Sequence, residues 1–155
     1  MTPEERLEEL ELRLPTLAPA AGAYVGAVQT GDLIFLAGHG PLEGGKPMFV
    51  GKVGIDLSIE QGKKASELVI LNMLATLKKT LGELDKITKV VKLLVLVNSP
   101  PDFKQHPAVA DGASNLLVQL FGPERGCHAR SAIGVSSLPA DISVEIEGVF
   151  QVKNP

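Results

Sequence analysis

The sequence predicts an α+β fold in the order αββαβαββ, with its helices covering one face of a sheet. Three observations carry this. Two long segments repeat apolar residues at helical spacing. Shorter segments alternate with period two or run apolar, and breaks rich in Gly, Pro and Asp separate them. At 155 residues the length suits one domain, able to bury a sizeable core without disulfides or metal.

Each element has its own local argument. Thr2 to Leu14 is predicted as a short amphipathic helix: Thr2 caps it, Pro3 suits its first position, Glu5 completes a capping box, and Leu7, Leu10 and Leu14 make a stripe. Pro15 to Gly22, rich in Pro and Ala, reads as a connector. Tyr24–Val28 and Leu33–Ala37 flank the turn Thr30-Gly31-Asp32 and read as a hairpin. Gly38 to Gly54 is predicted as a long loop or irregular edge strand. Ser58 and Gln61 form a second capping box. It opens a helix that runs to Leu81 and stops at Gly82, with Ile70, Leu74, Leu77 and Leu81 as its stripe. Val90–Val97 is apolar on both faces and therefore central. Pro107–Phe121 is predicted as the second long helix, ended by Gly122-Pro123. Ala129–Val135, a turn at Leu138–Asp141 and a last strand at Ser143–Val152 complete the chain. In the last strand Val144, Ile146, Gly148, Phe150 and Val152 share one face, and Glu145 and Glu147 lie on the other.

Composition excludes several function classes. Fifteen Lys and Arg against 18 Asp and Glu give a net charge of −3, which argues against a binder of phosphate backbones. Six aromatic residues leave little for base stacking. No apolar run approaches the length of a membrane span. The acidic start of the sequence has no apolar segment of the signal-peptide kind, and the lone Cys127 suits a reducing compartment, so a cytoplasmic protein is expected.

Common catalytic and nucleotide-binding motifs are missing: no GxGxxG after a strand, no GxxxxGK[ST], no GxSxG, HExxH or CxxC occurs. His39, His106 and His128 stand far apart, so no metal site is expected. What stands out is charge inside strands. Arg130 interrupts an apolar strand, and Glu145 and Glu147 sit mid-strand on one face. One reading pairs Arg130 with one of these glutamates or leaves their face to solvent. The other makes Arg130 a planar fork for a ligand carboxylate, with a glutamate to position or protonate water.

The segment Cys127-His-Ala-Arg130-Ser-Ala-Ile-Gly-Val-Ser-Ser-Leu-Pro139-Ala-Asp-Ile-Ser-Val-Glu145-Ile-Glu147-Gly resembles the C-terminal signature of the Rid family (reactive intermediate deaminase, also called YjgF or L-PSP). The N-terminal stretch from Ala-Gly-Ala-Tyr24 to Ala37-Gly38-His-Gly-Pro41 resembles the family's Tyr strand, Gly turn and small-Gly exit. Val95–Phe103 is similar to its strand-to-Asp-Phe connection. The order and spacing of the three are specific together. The resemblance divides the chain into a core at 20–152 and an added N-terminal helix and connector at 1–19, within one domain spanning 1–155.

That resemblance implies a chorismate-mutase-like α+β fold, a mixed sheet with two helices on one face. It implies a homotrimer with ligand clefts between subunits and a small carboxylate-bearing ligand, with no cofactor, membrane or nucleic acid involved. The activity implied is hydrolysis of enamine and imine intermediates, such as 2-aminoacrylate, to 2-keto acids and ammonia. The carboxylate-binding Arg falls on Arg130, the water-handling Glu on Glu145 and the cleft Tyr on Tyr24. Ala37 and Gly38, at the exit of the second strand, and Ala132 fall at the cleft as well. Ala37 stands where deaminases often carry Ser, Ala132 where they carry Cys, and His39 where Gln is common, which marks a divergent branch. Cys127 and His128 are the candidates to replace the lost polar groups near Arg130. Alternatives to catalysis are a trimeric binding protein for small carboxylates and, less favoured by the charge balance, an endoribonuclease.

Overall fold

The computed structural model describes residues 1–20 and 22–153. Ala21, the first residue of the N-terminal motif and one residue of the connector, lies outside the described residues. The elements are α1 (Pro3–Glu9), β1 (Ala27–Thr30), β2 (Leu33–His39), β3 (Leu42–Glu43), β4 (Lys46–Pro47), α2 (Ile59–Leu81), β5 (Ile87–Asn98), α3 (His106–Gly126), β6 (Ala129–Val135) and β7 (Val144–Val152). Five strands form one mixed sheet in the order β1-β2-β7-β5-β6. The β5–β6 pair is parallel, joined by α3, and the other pairs are antiparallel. This is the predicted α+β arrangement. Among the described residues no helix is long and apolar enough to cross a membrane.

The core lies between one sheet face and the α2–α3 layer. Ile34, Leu93, Val95, Ile146 and Phe150 project from the sheet onto Ile70, Met73, Leu74, Leu77 and Leu117 of the helices, all buried. Gly112 lets the two helices meet closely. A Cβ there would lie 2.5 Å from Ser66 Oγ and against the Lys63 carbonyl. Ser66 Oγ in turn bonds the carbonyls of Lys63 and Val109, tying α2 to α3.

Local signals succeed where capping chemistry is explicit. Ser58 and Gln61 bond reciprocally at the start of α2, and Gly82 caps its end. α1 departs from the prediction, ending at Glu9 instead of Leu14. Glu11 adopts a left-handed φ of 56°, and the Glu11 and Leu12 N–H groups return to the Glu8 and Leu7 carbonyls. This is a Schellman closure made without glycine. Leu10 is therefore exposed, while Leu12 and Leu14 pack on the core from an extended segment. β1 starts at Ala27, not Tyr24, leaving Tyr24 and Val25 exposed ahead of the ladder. α3 breaks at Gly122 as expected, then Pro123 starts one further turn to Gly126. The segment between Gly38 and Gly54 contains a minimal β3–β4 hairpin.

The sheet's other face carries no helix. Val28, Phe35, Leu94, Leu96, Val149 and Ile133 lie on it, with Phe35 45% and Ile133 47% exposed. Lys92, Ser131, Gln151, Glu145 and Glu147 are the polar residues set among these apolar ones.

Candidate functional site

A cavity of about 600 Å3 opens where the β1–β2 edge meets α2 and the segment Leu17–Ala20. Tyr24, Ala37, Gly38, His39 and Thr76 line it. Three residues expected at one cleft therefore do come together. His39 closes the inner wall. Its Nδ1 lies 2.6 Å from the Ala37 carbonyl and must donate to it, so Nε2 accepts from the Thr76 hydroxyl at 2.8 Å. Burial keeps its proton affinity below the ordinary value. Lys79 and Asn72 complete the lining on α2.

Glu145 does not line this cavity; it stands on the open face of the sheet, against Gly38. Between Leu36 and His39 the β2 register shifts, so Ala37 and Gly38 stand together opposite one β7 residue. The bulge presses Gly38 onto Glu145: a Cβ on Gly38 would lie 2.6 Å from Glu145 Oε2 and 2.9 Å from its Cδ. Only a glycine leaves the carboxylate where it is. Burial, and secondly the Glu147 charge two residues along, raise the Glu145 pKa above its ordinary 4.5. A carboxyl so placed holds a proton more readily than a solvated one.

Arg130 lies elsewhere. It pairs in register with Leu93 on β5, which faces the helices, whereas Glu145 pairs with Leu96, which faces away. Two strand spacings separate β6 from β7, about 10 Å, and Leu93 to Leu96 adds about 10 Å along the strands. Within one chain the guanidinium and the Glu145 carboxylate therefore occupy opposite faces and cannot touch one small ligand. The pairing of Arg130 with a glutamate of the last strand is thereby excluded. Its partner is Asp111 on α3, at 2.9 Å, and Nη1 also donates to Ser114 Oγ at 3.2 Å.

His128 joins the Arg130 cluster through Ser114, with Nε2 2.9 Å from Ser114 Oγ and Nδ1 2.7 Å from the Gly126 carbonyl. Ala132 lies two residues beyond Arg130 on the same face, half-buried against the core. Cys127 is the exposed C-cap of α3, and its thiol makes no hydrogen bond among the described residues. The sequence reading missed Asp111 and Ser114 entirely. Nothing local marks them, since they meet Arg130 only through the packing of α3 on β6.

A second cavity, about 540 Å3, lies past the C-terminal ends of β5 and β6, between Lys52, Phe103, His106 and Val135. Lys52 Nζ donates to Asn98 Oδ1 at 2.7 Å and to the Ser136 carbonyl. Among the described residues no three His, Cys, Asp or Glu side chains converge as metal ligands would.

The family model described as "YjgF/chorismate mutase-like, putative endoribonuclease" matches residues 4–146. The chain belongs to this YjgF/chorismate mutase-like family. The match begins inside α1, whose Leu7 is buried and whose Glu4 accepts the Leu84 N–H at 2.6 Å. Protein TCP17 of Trypanosoma cruzi is 36% identical over 96% of this chain and 92% of its own length. The crystal structure of Atu1372 from Agrobacterium tumefaciens, a protein of unknown function, is 40% identical, with a TM-score of 0.89 over 97% of this chain and 92% of that one. A Shewanella oneidensis structure carrying the same endoribonuclease wording is 32% identical, with a TM-score of 0.94 over 98% and 100%.

Proposed function

We propose that this chain hydrolyses reactive 2-imino acids and their enamine tautomers, of the 2-aminoacrylate kind, to 2-keto acids and ammonia. No cofactor takes part, and the clefts are completed between copies in a homotrimer. The observation that carries the reading is the Glu145 carboxylate. It is half-buried, raised in proton affinity and held against a glycine that admits no side chain. Arg130 grips the substrate carboxylate through its free nitrogens and fixes the C=N carbon for attack. Water adds to that carbon, its proton passing to Glu145. From the protonated imine this gives a carbinolamine; Glu145 then returns its proton to the nitrogen and takes up the hydroxyl proton as the C–N bond breaks, leaving the ketone and ammonia.

The homotrimer is supported by two features. The open face of the sheet is apolar over Val28, Phe35, Leu94, Leu96, Val149 and Ile133, a kind of patch that monomers rarely expose. Arg130 and Glu145 lie on opposite faces, so a second copy is needed to bring such groups onto one ligand. A second reading, carboxylate binding without turnover, is favoured by Ala37 and Ala132, which offer methyl groups where deaminases of the family offer polar ones. Ribonuclease activity, which relatives' names mention, finds no support in a chain with fewer basic than acidic residues.

The test is ammonia release from freshly generated 2-iminopropionate, followed with and without the protein, alongside sedimentation. Faster release by a trimeric species is expected. Saturable 2-keto acid binding with no acceleration would establish the binding reading instead. A stable monomer at micromolar concentration would remove the interfacial cleft.

A further inference from the structure

Arg130 uses only one corner of its guanidinium inside the chain. Nη1 meets Asp111 and Ser114, whereas Nε and Nη2 donate to no protein group among the described residues. Those two nitrogens form one edge of the fork, the geometry that receives a carboxylate with two parallel bonds. The engaged corner sits at the head of a directional chain. The Gly126 carbonyl can only accept, so His128 Nδ1 carries the ring proton. Neutral His128 then offers the lone pair of Nε2 to the Ser114 hydroxyl. With its hydrogen committed to His128, Ser114 Oγ turns its lone pairs to Arg130 Nη1. Every donor and acceptor is matched in one arrangement only. Burial, with Arg130 and Lys89 nearby, keeps His128 in the neutral form this arrangement needs.

We infer that Ser114, oriented by His128 and assisted by Asp111, is the positioning device of the carboxylate clamp. It holds the guanidinium so that its Nε–Nη2 edge faces the ligand. This rests on the reading of Arg130 given above and adds to it three residues that do not touch substrate. Their effect falls on ligands that carry a carboxylate and spares those that lack one.

The experiment titrates the full-length protein with pyruvate and with pyruvamide, which keeps the carbonyl and lacks the carboxylate. NMR reports the His128 ring nitrogens and the Arg130 Nε–H. Ser114→Ala is expected to weaken pyruvate binding about fivefold to tenfold, with the Arg130 Nε–H signal broadened. Ser114→Thr, which keeps the hydroxyl, restores affinity to within about twofold. Pyruvamide binds all three proteins alike, and the His128 proton sits on Nδ1. Pyruvate binding by Ser114→Ala equal to the parent's, with a sharp Arg130 signal, overturns the inference and leaves the clamp intact. If the parent itself fails to bind pyruvate at millimolar concentration, the clamp reading falls. The positioning of the guanidinium is then decided by the Arg130 signal alone: broadened in Ser114→Ala it stands, unchanged it falls.

Discussion

Replacing Gly38 with Ala tests the Glu145 assignment without touching Glu145. The φ of Gly38 lies outside the left-handed region, so alanine fits the backbone. The methyl group, however, would lie 2.6 Å from Glu145 Oε2, 2.9 Å from Cδ and 3.2 Å from Cγ. Ordinary van der Waals contact begins near 3.4 Å. The carboxylate must therefore withdraw by about 0.5–1 Å, and misplacing a catalytic group by about 1 Å lowers turnover about a hundredfold. The structural penalty is smaller. Glu145 is half-buried and flexible, so the loss of stability should stay within about 1 kcal/mol, roughly 2–4 °C in Tm for a chain this size. The assay is steady-state ammonia release beside a thermal melt, run as a double-mutant cycle with Glu145→Gln. If both changes act through one carboxylate, Gly38→Ala should add little to the loss already caused by Glu145→Gln. Full activity in Gly38→Ala, or losses that multiply, would refute the assignment.

Three further outcomes follow from burial and packing. Glu145→Gln should lower turnover yet raise Tm by about 1–2 °C at pH 7. The folded protein holds the Glu145 proton above the ordinary 4.5, so this group's contribution to stability is complete at acid pH and lost as pH rises through its folded value. Gly112→Ala should cost about 2–3 kcal/mol, read from the urea midpoint, because its methyl group meets helix α2 at Ser66 and Lys63. His39 and His128 both bind protons less readily than in the unfolded chain, so stability should decline as pH falls below 6.5. His39→Gln should flatten part of that decline in melts across the acid range.

What the sequence disclosed follows from what is local. The Ser58–Gln61 capping box and Gly82 bound α2 to the residue, since each signal acts within one turn. The end of α1 was hidden because Glu11, not glycine, takes the left-handed position. The start of β1 was misplaced because alternation does not say where pairing begins. The ladder with β2 begins at the Ala27–Leu36 pair, next to the bond from the Ala37 N–H to the Gly26 carbonyl. For the site, Tyr24, Ala37 and Gly38 were legible together because one hairpin carries them all. The partner of Arg130 was not. Glu145 and Glu147 looked available, but β5 stands between their strand and Arg130, and they face the other way. Asp111 and Ser114 are 19 and 16 residues distant in sequence and meet Arg130 only after α3 folds over the parallel pair.

The separation of Arg130 from Glu145 makes the proposed assembly testable by complementation. If each cleft takes its guanidinium from one copy and its carboxylate from the next, no chain supplies a complete site to itself. Arg130→Ala and Glu145→Gln should each be inactive alone. Unfolded together and refolded as mixed trimers, they place a wild-type Arg beside a wild-type Glu with probability one half times one half. About one quarter of parental activity should then return, since every interface in a closed ring joins the same two unlike patches. Mixing folded trimers without exchange should give none, so the recovery should follow the kinetics of subunit exchange. A site built within one chain predicts no recovery under either protocol, because every chain in the mixture then lacks one of the two groups.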